Sequence, residues 1–465
     1  MRRGAPNAGT ARVCEDGRMT VGERKRRPPR PSAAAGPRPS AALPPASSPP
    51  ASSPSEQAQP SPKQAPPSAA LVSPRAAARL QAGHVWVYRS DVAALPEQAL
   101  PGLLPVTDTR GGLLGTALYS PASEIALRMI SAEKIDEPEW LGVLASRLRA
   151  AIALRRELLS SPGTDACRLV FSEADALPGI VVDKYGELVI VQLLSKALDN
   201  DAVRIVVTET LKQELSPATI VERPDARIRE LEAISTPPDA APLYVRDEEL
   251  LQTVFHLNRL AFYYDAAAGQ KTGAFLDQRE NYAAAARHAH GDALDVCTYQ
   301  GGFALHLARA CSRVTGVDIS HAALEVAERN LSANRGALNA EVDWIEANAF
   351  DLLRDWSAAG AAYDTIVLDP PAFAKSKRAL EGALRGYKEL NLRALQMLRP
   401  GGILVTCSCS HHVSLADFTA VVAAAAGDAG RRVRLLERRG AAADHPVILT
   451  IPETEYLKCL ICVVE

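Results

Sequence analysis

The stretch Leu294-Asp295-Val296-Cys297-Thr298-Tyr299-Gln300-Gly301-Gly302-Phe303 decides how the second half of the chain folds. A short apolar run closes on an acid, a polar turn follows, and two adjacent glycines open an apolar segment of helical spacing. Similar units recur after it. Residues 293–297, 314–318, 342–346, 365–369 and 403–407 are five apolar strand candidates, and 303–311, 322–333, 350–357 and 384–398 between them read as helices. Strands and helices in alternation build a parallel sheet with helices on both faces. Residues 447–452 and 456–464 read as an antiparallel hairpin on its edge.

The same stretch carries a ligand signal. Adjacent glycines let the backbone turn tightly and approach a ligand. They are not the GxGxxG fingerprint, which needs a glycine-lined helix start close to the strand. Asp295 closes the strand instead, and an acid there repels a pyrophosphate but suits an ammonium group. Asp318 closes the next strand candidate, where a carboxylate can hydrogen-bond both ribose hydroxyls. Asn348 follows the third and can accept from an adenine amino group only through its amide oxygen. Together these suit S-adenosylmethionine better than a dinucleotide.

Two further strand ends carry reactive groups. One is Asp369-Pro370-Pro371-Ala372-Phe373, where the prolines stiffen the backbone and hold the Asp369 carboxylate, and Phe373 can stack on a base. The other is Thr406-Cys407-Ser408-Cys409-Ser410. On a continuing strand both thiols share one face; if the strand stops at Thr406, only one reaches a ligand. A thiol beside a carboxylate at a sheet edge fits covalent methylation of a pyrimidine. The thiolate adds to carbon 6, carbon 5 takes the methyl group, and a base removes the carbon-5 proton before the thiol leaves. Asp369 would contact nitrogen 3 or the exocyclic amine of cytosine. Lys375, Lys377 and Arg378 are candidates for RNA phosphates, and His411 and His412 flank the thiols.

Bulk properties narrow the partners. The net charge is -2, so any nucleic-acid contact rests on local patches rather than a polycationic chain. No apolar run approaches the roughly 20 residues of a membrane helix. Eight scattered cysteines without paired metal-ligand spacing point to a reducing cytoplasm, no metal site and no disulfide framework. Residues 1–70 are rich in Pro, Ala and Ser and read as a disordered tail. Its proline load argues against an amphipathic transit peptide, and Met19 is an alternative start. Residues 71–138 read as a small β-barrel, with strands at 103–106, 113–118 and 125–130 and Arg89 as an RNA-contact candidate. Residues 139–254 read as a helix over 139–159 and a central α+β insert with strands at 168–171, 179–184, 188–193 and 220–223, a helix over 199–215, and more β-structure from 248. The alternating part then runs over 255–465.

These motifs together resemble the RlmI-type large-subunit rRNA methyltransferases, which methylate carbon 5 of a cytosine in 23S rRNA. The matching runs are GHVWVYRSDV (83–92), RLVFSEADALPGIVVDKYG (168–186), KTGAFLDQREN (271–281), CTYQGGFALHLA (297–308), DPPAF (369–373), GYKELNLRALQMLRPGG (386–402) and TCSCSHHV (406–413). The resemblance covers residue 71 onward. It implies a PUA barrel, a central mixed insert and a Rossmann-like class I methyltransferase sheet using S-adenosyl-L-methionine, acting on rRNA in the cytoplasm, with a homodimer allowed. It implies that Gly273, Phe275, Asp277, Gln278 and Arg279 lie beside the cofactor, with Asp295, Gly301, Asp318, Asn348 and Asp369 at the cofactor and base end. It favours Cys409 as nucleophile, although Cys407 occupies the position after Thr that other 5-methylcytosine RNA enzymes use. Asn348 departs from the usual Asp, which should weaken adenine binding slightly. Two competing readings are methylation of a guanine nitrogen, which needs no cysteine, and a non-catalytic RNA-binding assembly factor.

Overall fold

The computed structural model describes residues 68–235, 241–267, 273–374 and 376–465. Residues 1–67 of the expected tail, Lys375 and the side chain of Lys377 lie outside them.

The front of the described chain is a six-stranded barrel-like sheet. Its order is Trp86–Tyr88, Ile125–Ser131, Leu113–Tyr119, Gly102–Thr107, Ala70–Val72 and Val92–Ala94. Alternate residues point inward, so Val72, Val87, Leu104, Val106, Ala117 and Leu127 form its core. Arg89 is exposed but donates to the carbonyls of Pro121 and Ser123, so it also ties down a turn.

A helix from Glu137 to Leu154 leads onward. It starts on a capping box in which Asp136 and Glu139 satisfy each other's backbone N–H groups. It stops short of the expected residue 159 at Arg155, and a four-residue helix, Arg156–Leu159, follows. Arg155 is 1% exposed. Its guanidinium grips both carboxylate oxygens of Asp175, at 2.6 and 2.9 Å, and the carbonyl of Asp444. A buried cation needs such partners, and reaching them ends the helix.

The central sheet has five strands, ordered Ala241–Val245, Thr219–Glu222, Leu188–Leu193, Ile180–Tyr185 and Ala166–Phe171. Its parallel pair, Thr219–Glu222 with Leu188–Leu193, is joined by the crossover helix Asp201–Leu215. The edge strand Ala241–Val245 reads Ala-Pro-Leu-Tyr-Val, and its proline is tolerated because the strand lies at the sheet edge. A separate hairpin, Gln252–Leu257 with Leu260–Asp265, turns through Asn258 and Arg259, both at positive φ. Asn330 and Asn334 bond the backbone of its second strand at Tyr263 and Ala261.

The C-terminal sheet holds β1 (Asp292–Val296), β2 (Arg313–Asp318), β3 (Glu341–Glu346), β4 (Tyr363–Leu368), β5 (Leu398–Ser408), β6 (Val433–Arg439) and β7 (Lys458–Val464). Its helices are α1 (Arg279–His288), α2 (Gly302–Leu307), α3 (His321–Asn334), α4 (Ala349–Ala358), α5 (Leu380–Met397) and α6 (Leu415–Asp428). The strand order is β3-β2-β1-β4-β5-β7-β6. The first five strands run parallel, as expected, and the α/β class and Rossmann-like order hold. The expected edge hairpin does not. Residues 447–452 contain no strand, only the bridge Ile448–Ile451, and the prolines at 446 and 452 bring no N–H to a ladder. The true partner of β7 is β6, and β7 runs antiparallel between β5 and β6. The sequence of β6, Val-Arg-Leu-Leu-Glu-Arg-Arg, is half exposed and charged, so it lacks a buried strand's signature.

Strand order reverses between β1 and β4. Open α/β sheets bind their ligands at such a switch point, outside the carboxyl ends of the strands.

Candidate active site

A cleft of about 370 Å³ opens at that switch point, within the roughly 300–1,000 Å³ range of small-molecule sites. The ends of β1, β2 and β3 form one wall. The ends of β4 and β5, with residues just before α1 and β7, form the other.

The first wall is shaped by its backbone. After β1, Cys297, Tyr299 and Gly301 have φ of 64°, 51° and 84°. Non-glycine residues at positive φ are uncommon and cluster at ligand sites. Neighbours hold the strained turn: Thr298 N donates to Val317 O, and Tyr299 N to Asp318 Oδ2, both at 2.9 Å. Gly301 is the N-cap of α2, and Gly302 lies against Tyr282, whose Oη would be 2.6 Å from an added Cβ.

Asp295 lies beneath this wall rather than on it. It is fully buried, and its Oδ2 accepts from Thr298 Oγ1 at 2.6 Å and Ala304 N at 2.9 Å. Oδ1 has no hydrogen-bond partner among the described residues. Burial pushes the carboxyl up to about 7, against the lowering effect of those two donors. Gly301 also lies off the cleft surface, whereas Gln300 and Gly302 line it.

Asp318 and Asn348 stand on the wall. Asp318 accepts from Tyr299 N and from Ser320 N, both at 2.9 Å, so its carboxylate is fixed at the end of β2. The amide oxygen of Asn348 caps α4 by accepting from Phe350 N at 2.9 Å. The one atom through which Asn348 was expected to read adenine is therefore also the helix cap. Ile319 and Phe350 add apolar surface beside them.

The second wall carries the reactive groups. Asp369, Pro370 and Phe373 follow β4, and Cys409 follows β5. The Cys409 sulfur lies 4.0 Å from the carbonyl of Pro370. Phe373 packs against Tyr387 of α5 with ring centres 4.7 Å apart. Phe275, Asp277 and Gln278 line the cleft just before α1, and Tyr456 donates to Asp277 Oδ2.

The two cysteines differ sharply. β5 continues through Ser408, two residues beyond Thr406. Cys407 is therefore inside the sheet, paired across the ladder with Cys459, fully buried and absent from the cleft surface. Burial pushes its thiol well up, and the neighbouring Cys459 adds to the effect. Cys409 lies past the strand end, half-buried on the wall.

Two residues of the run 271–281 are placed elsewhere. Arg279 is 3% exposed, off the cleft, and bonded to Asp444 at 3.0 Å. Gly273 sits behind Tyr299, whose hydroxyl donates to its carbonyl, and an added Cβ would fall 2.2 Å from the Tyr264 ring. Sequence reasoning missed Tyr387, Ser410, Tyr456 and Lys458, which support the second wall. Tyr387 and Ser410 had a signal, as parts of the GYKELN and TCSCS runs. Among the described residues there is no cluster of metal-ligating side chains, and no helix is long and apolar enough to cross a membrane.

Comparison with known proteins agrees with this geometry. The profile of a PUA-like domain matches residues 71–132, and that of S-adenosylmethionine-dependent methyltransferases matches residues 182–448. SMU.776, solved in complex with SAH, shares the fold with a TM-score of 0.71 at 19% identity, covering 85% of this chain and 99% of that one. Fold and site thus define an S-adenosylmethionine-dependent methyltransferase with a PUA-like domain at its front.

Relatives narrow the class. Ribosomal RNA large subunit methyltransferase I of Salmonella arizonae is 35% identical over 391 residues, covering 82% of this chain and 93% of that protein. The proteins of the same name from Pseudoalteromonas translucida and Escherichia coli O127:H6 are 37% and 36% identical, covering 96% and 95% of their own lengths. The chain belongs to the ribosomal RNA large subunit methyltransferase I family, as its motifs led one to expect.

The residues present fit the cofactor. Asp318 offers a fixed carboxylate for ribose hydroxyls, and Asn348 with Ile319 and Phe350 offers a polar edge between apolar surfaces for a purine. The unpartnered oxygen of Asp295, under a wall whose Gly302 leaves no room for a side chain, places a carboxyl group below the cleft at the strand end.

Proposed function

We propose that this protein methylates carbon 5 of a cytosine in large-subunit (23S) rRNA, in the cytoplasm, through a covalent adduct with Cys409. The observation that carries the reading is the placement of a half-buried thiol and the Asp369 carboxylate on one wall of the cleft, opposite the cofactor wall. Carbon 5 of cytosine is a poor nucleophile, so a thiol at this position supplies what the reaction lacks.

S-adenosylmethionine supplies an electrophilic methyl group when bound. The protein's own groups do the rest. Cys409 Sγ adds to carbon 6 and raises electron density at carbon 5. Asp369, stiffened by Pro370 and Pro371, holds the nitrogen-3 or amine edge of the ring. Phe373, backed by Tyr387, offers a face for a base turned out of its stack. The proton on carbon 5 passes to one of the wall carboxylates Asp277 and Asp369, and Sγ then leaves. Support for an RNA substrate comes from the relatives' names and the PUA-like front.

RNA carrying 5-fluorocytosine tests the adduct. Fluorine cannot leave as a proton does, so the wild-type protein should form a complex that survives denaturation, and Cys409→Ala should form none. Mass-spectrometric mapping of rRNA with and without the protein then gives base and atom. A methylated guanine nitrogen, with full activity in the Cys407→Ala/Cys409→Ala double variant, would replace this reading.

A further inference from the structure

Lys458 has no part in the chemistry described so far, yet its position is unusual. It opens β7 and pairs with Ser408 across the ladder. It is 4% exposed, and lysine is almost never fully buried without a partner. Its Nζ donates to the carbonyls of Ser410 and Tyr456, both at 2.7 Å. Ser410 is the residue after Cys409, so the ammonium is fastened to the loop that carries the thiol. Among the described residues Lys458 forms no ion pair with a carboxylate. The acidic groups that act on it are Cys409 first and then Glu455, which is exposed. Burial pushes the amine down to about 8, so most of it is still charged at neutral pH.

Tyr387 of α5 and Tyr456, just before β7, are both pushed up by burial and stay neutral. Asp277 and Asp369 share the cleft wall with the thiol and oppose a negative sulfur. Arg168 is committed to Asp183, at 2.8 Å, and His411 packs against the Tyr456 ring.

We propose that Lys458 is a positioning residue for the nucleophile, its buried ammonium being the counter-ion that keeps Cys409 in the thiolate form before attack and receives it again on release. This rests on Cys409 being the nucleophile. The thiol proton goes to solvent and Lys458 keeps its own proton throughout. The S–C6 bond forms as the C5–C6 π pair moves to carbon 5, which takes the methyl group from the cofactor's sulfonium. The carbon-5 proton passes to a wall carboxylate, and the freed pair restores the double bond and expels the thiolate.

The test is the pH dependence of Cys409 alkylation by iodoacetamide in the full chain, quantified by peptide mass spectrometry. The wild-type midpoint should lie at least about one pH unit below that of Lys458→Met, with Lys458→Arg close to wild type. Methylation by Lys458→Met should fall at least ~10-fold in kcat, with KM for S-adenosylmethionine unchanged, and recover in part at higher pH. Equal midpoints in wild type and in a Lys458→Met protein that still binds the cofactor would overturn the proposal. So, without any variant, would a wild-type midpoint at or above the ordinary thiol value of about 8.5. The midpoint reads the thiol whether or not it attacks RNA. Methylation by Cys409→Ala separately tests the nucleophile, so the two ideas fail by different results.

Discussion

The two walls of the cleft are built in different ways. On the cofactor wall, main-chain groups do the holding: Asp318 and Asn348 are fixed by N–H groups within three residues of them or on the adjacent turn. On the reaction wall, side chains from distant parts of the chain do it. Ser410 Oγ meets Tyr387 at 2.9 Å and Ala374 N at 3.2 Å, and Lys458 reaches over from β7. A wall made of local caps is rigid wherever its strand–turn–helix units form. A wall made of long-range contacts can place a thiol beside an ammonium, but only when the whole sheet is assembled.

The sharpest way to separate the walls is Cys409→Ala. Methyl transfer should fall by at least ~10³-fold, while S-adenosylmethionine affinity, measured by calorimetry, stays within about threefold. A large loss of affinity would mean that the walls are not independent.

Acid should act first under the cofactor wall. His306 of α2 is buried, with Nδ1 donating to the Gly302 carbonyl at 2.7 Å and Nε2 accepting from Asn258 at 3.0 Å. Those partners require the neutral ring, and burial pushes it down to about 4. Between about pH 6.5 and 4 the unfolded chain therefore binds more protons at this residue, and its contribution to stability is lost as pH falls. Asp295, pushed up to about 7, acts in the opposite sense: the folded state holds the extra proton, so its contribution grows as pH falls from 7. The two contributions therefore oppose each other across this window. Urea unfolding should show His306→Gln gaining on wild type by up to about 3 kcal/mol from pH 7 to pH 4, and Asp295→Asn losing ground over the same range. Parallel curves for all three proteins would contradict both assignments.

Smaller effects grade the comparison. Asp318→Ala should weaken cofactor binding by ~10–100-fold, the worth of a hydrogen bond to a charged group, with little change in kcat at saturation. Cys407→Ala should keep methylation within about threefold of wild type and cost about 1 kcal/mol of stability from the small void left between β5 and β7. Loss of methylation in that variant would move the nucleophile into the strand.

The same contrast explains what the sequence could reveal. Five parallel strands and the acid-then-glycine turn were legible because hydrophobic runs and caps are local signals, and they placed Asp318, Asn348, Asp369 and Cys409 on the cleft. The role of Asn348 as a cap was also local but was masked by attention to its ligand. Strand β6 was missed because an exposed, charged edge strand carries no apolar run, and with it went the register of β7. Without that register nothing in the run Tyr456-Leu457-Lys458 announces that it stands beside Cys409. Arg279 was misread for the converse reason: its partner Asp444 lies far along the chain, and a buried ion pair looks, in sequence, like a functional arginine.

The insertion of β7 between β5 and β6 has a consequence for biogenesis. On a growing chain every contributor to the cofactor wall has been made by Phe350, but Lys458 follows roughly a hundred residues later. At ~5–20 residues per second that is a delay of about 5–20 s. During it the thiol loop lacks Lys458 and β6 lacks its neighbour. Synthesis thus delivers the groups of the cofactor wall before Lys458, the proposed counter-ion of the thiol loop.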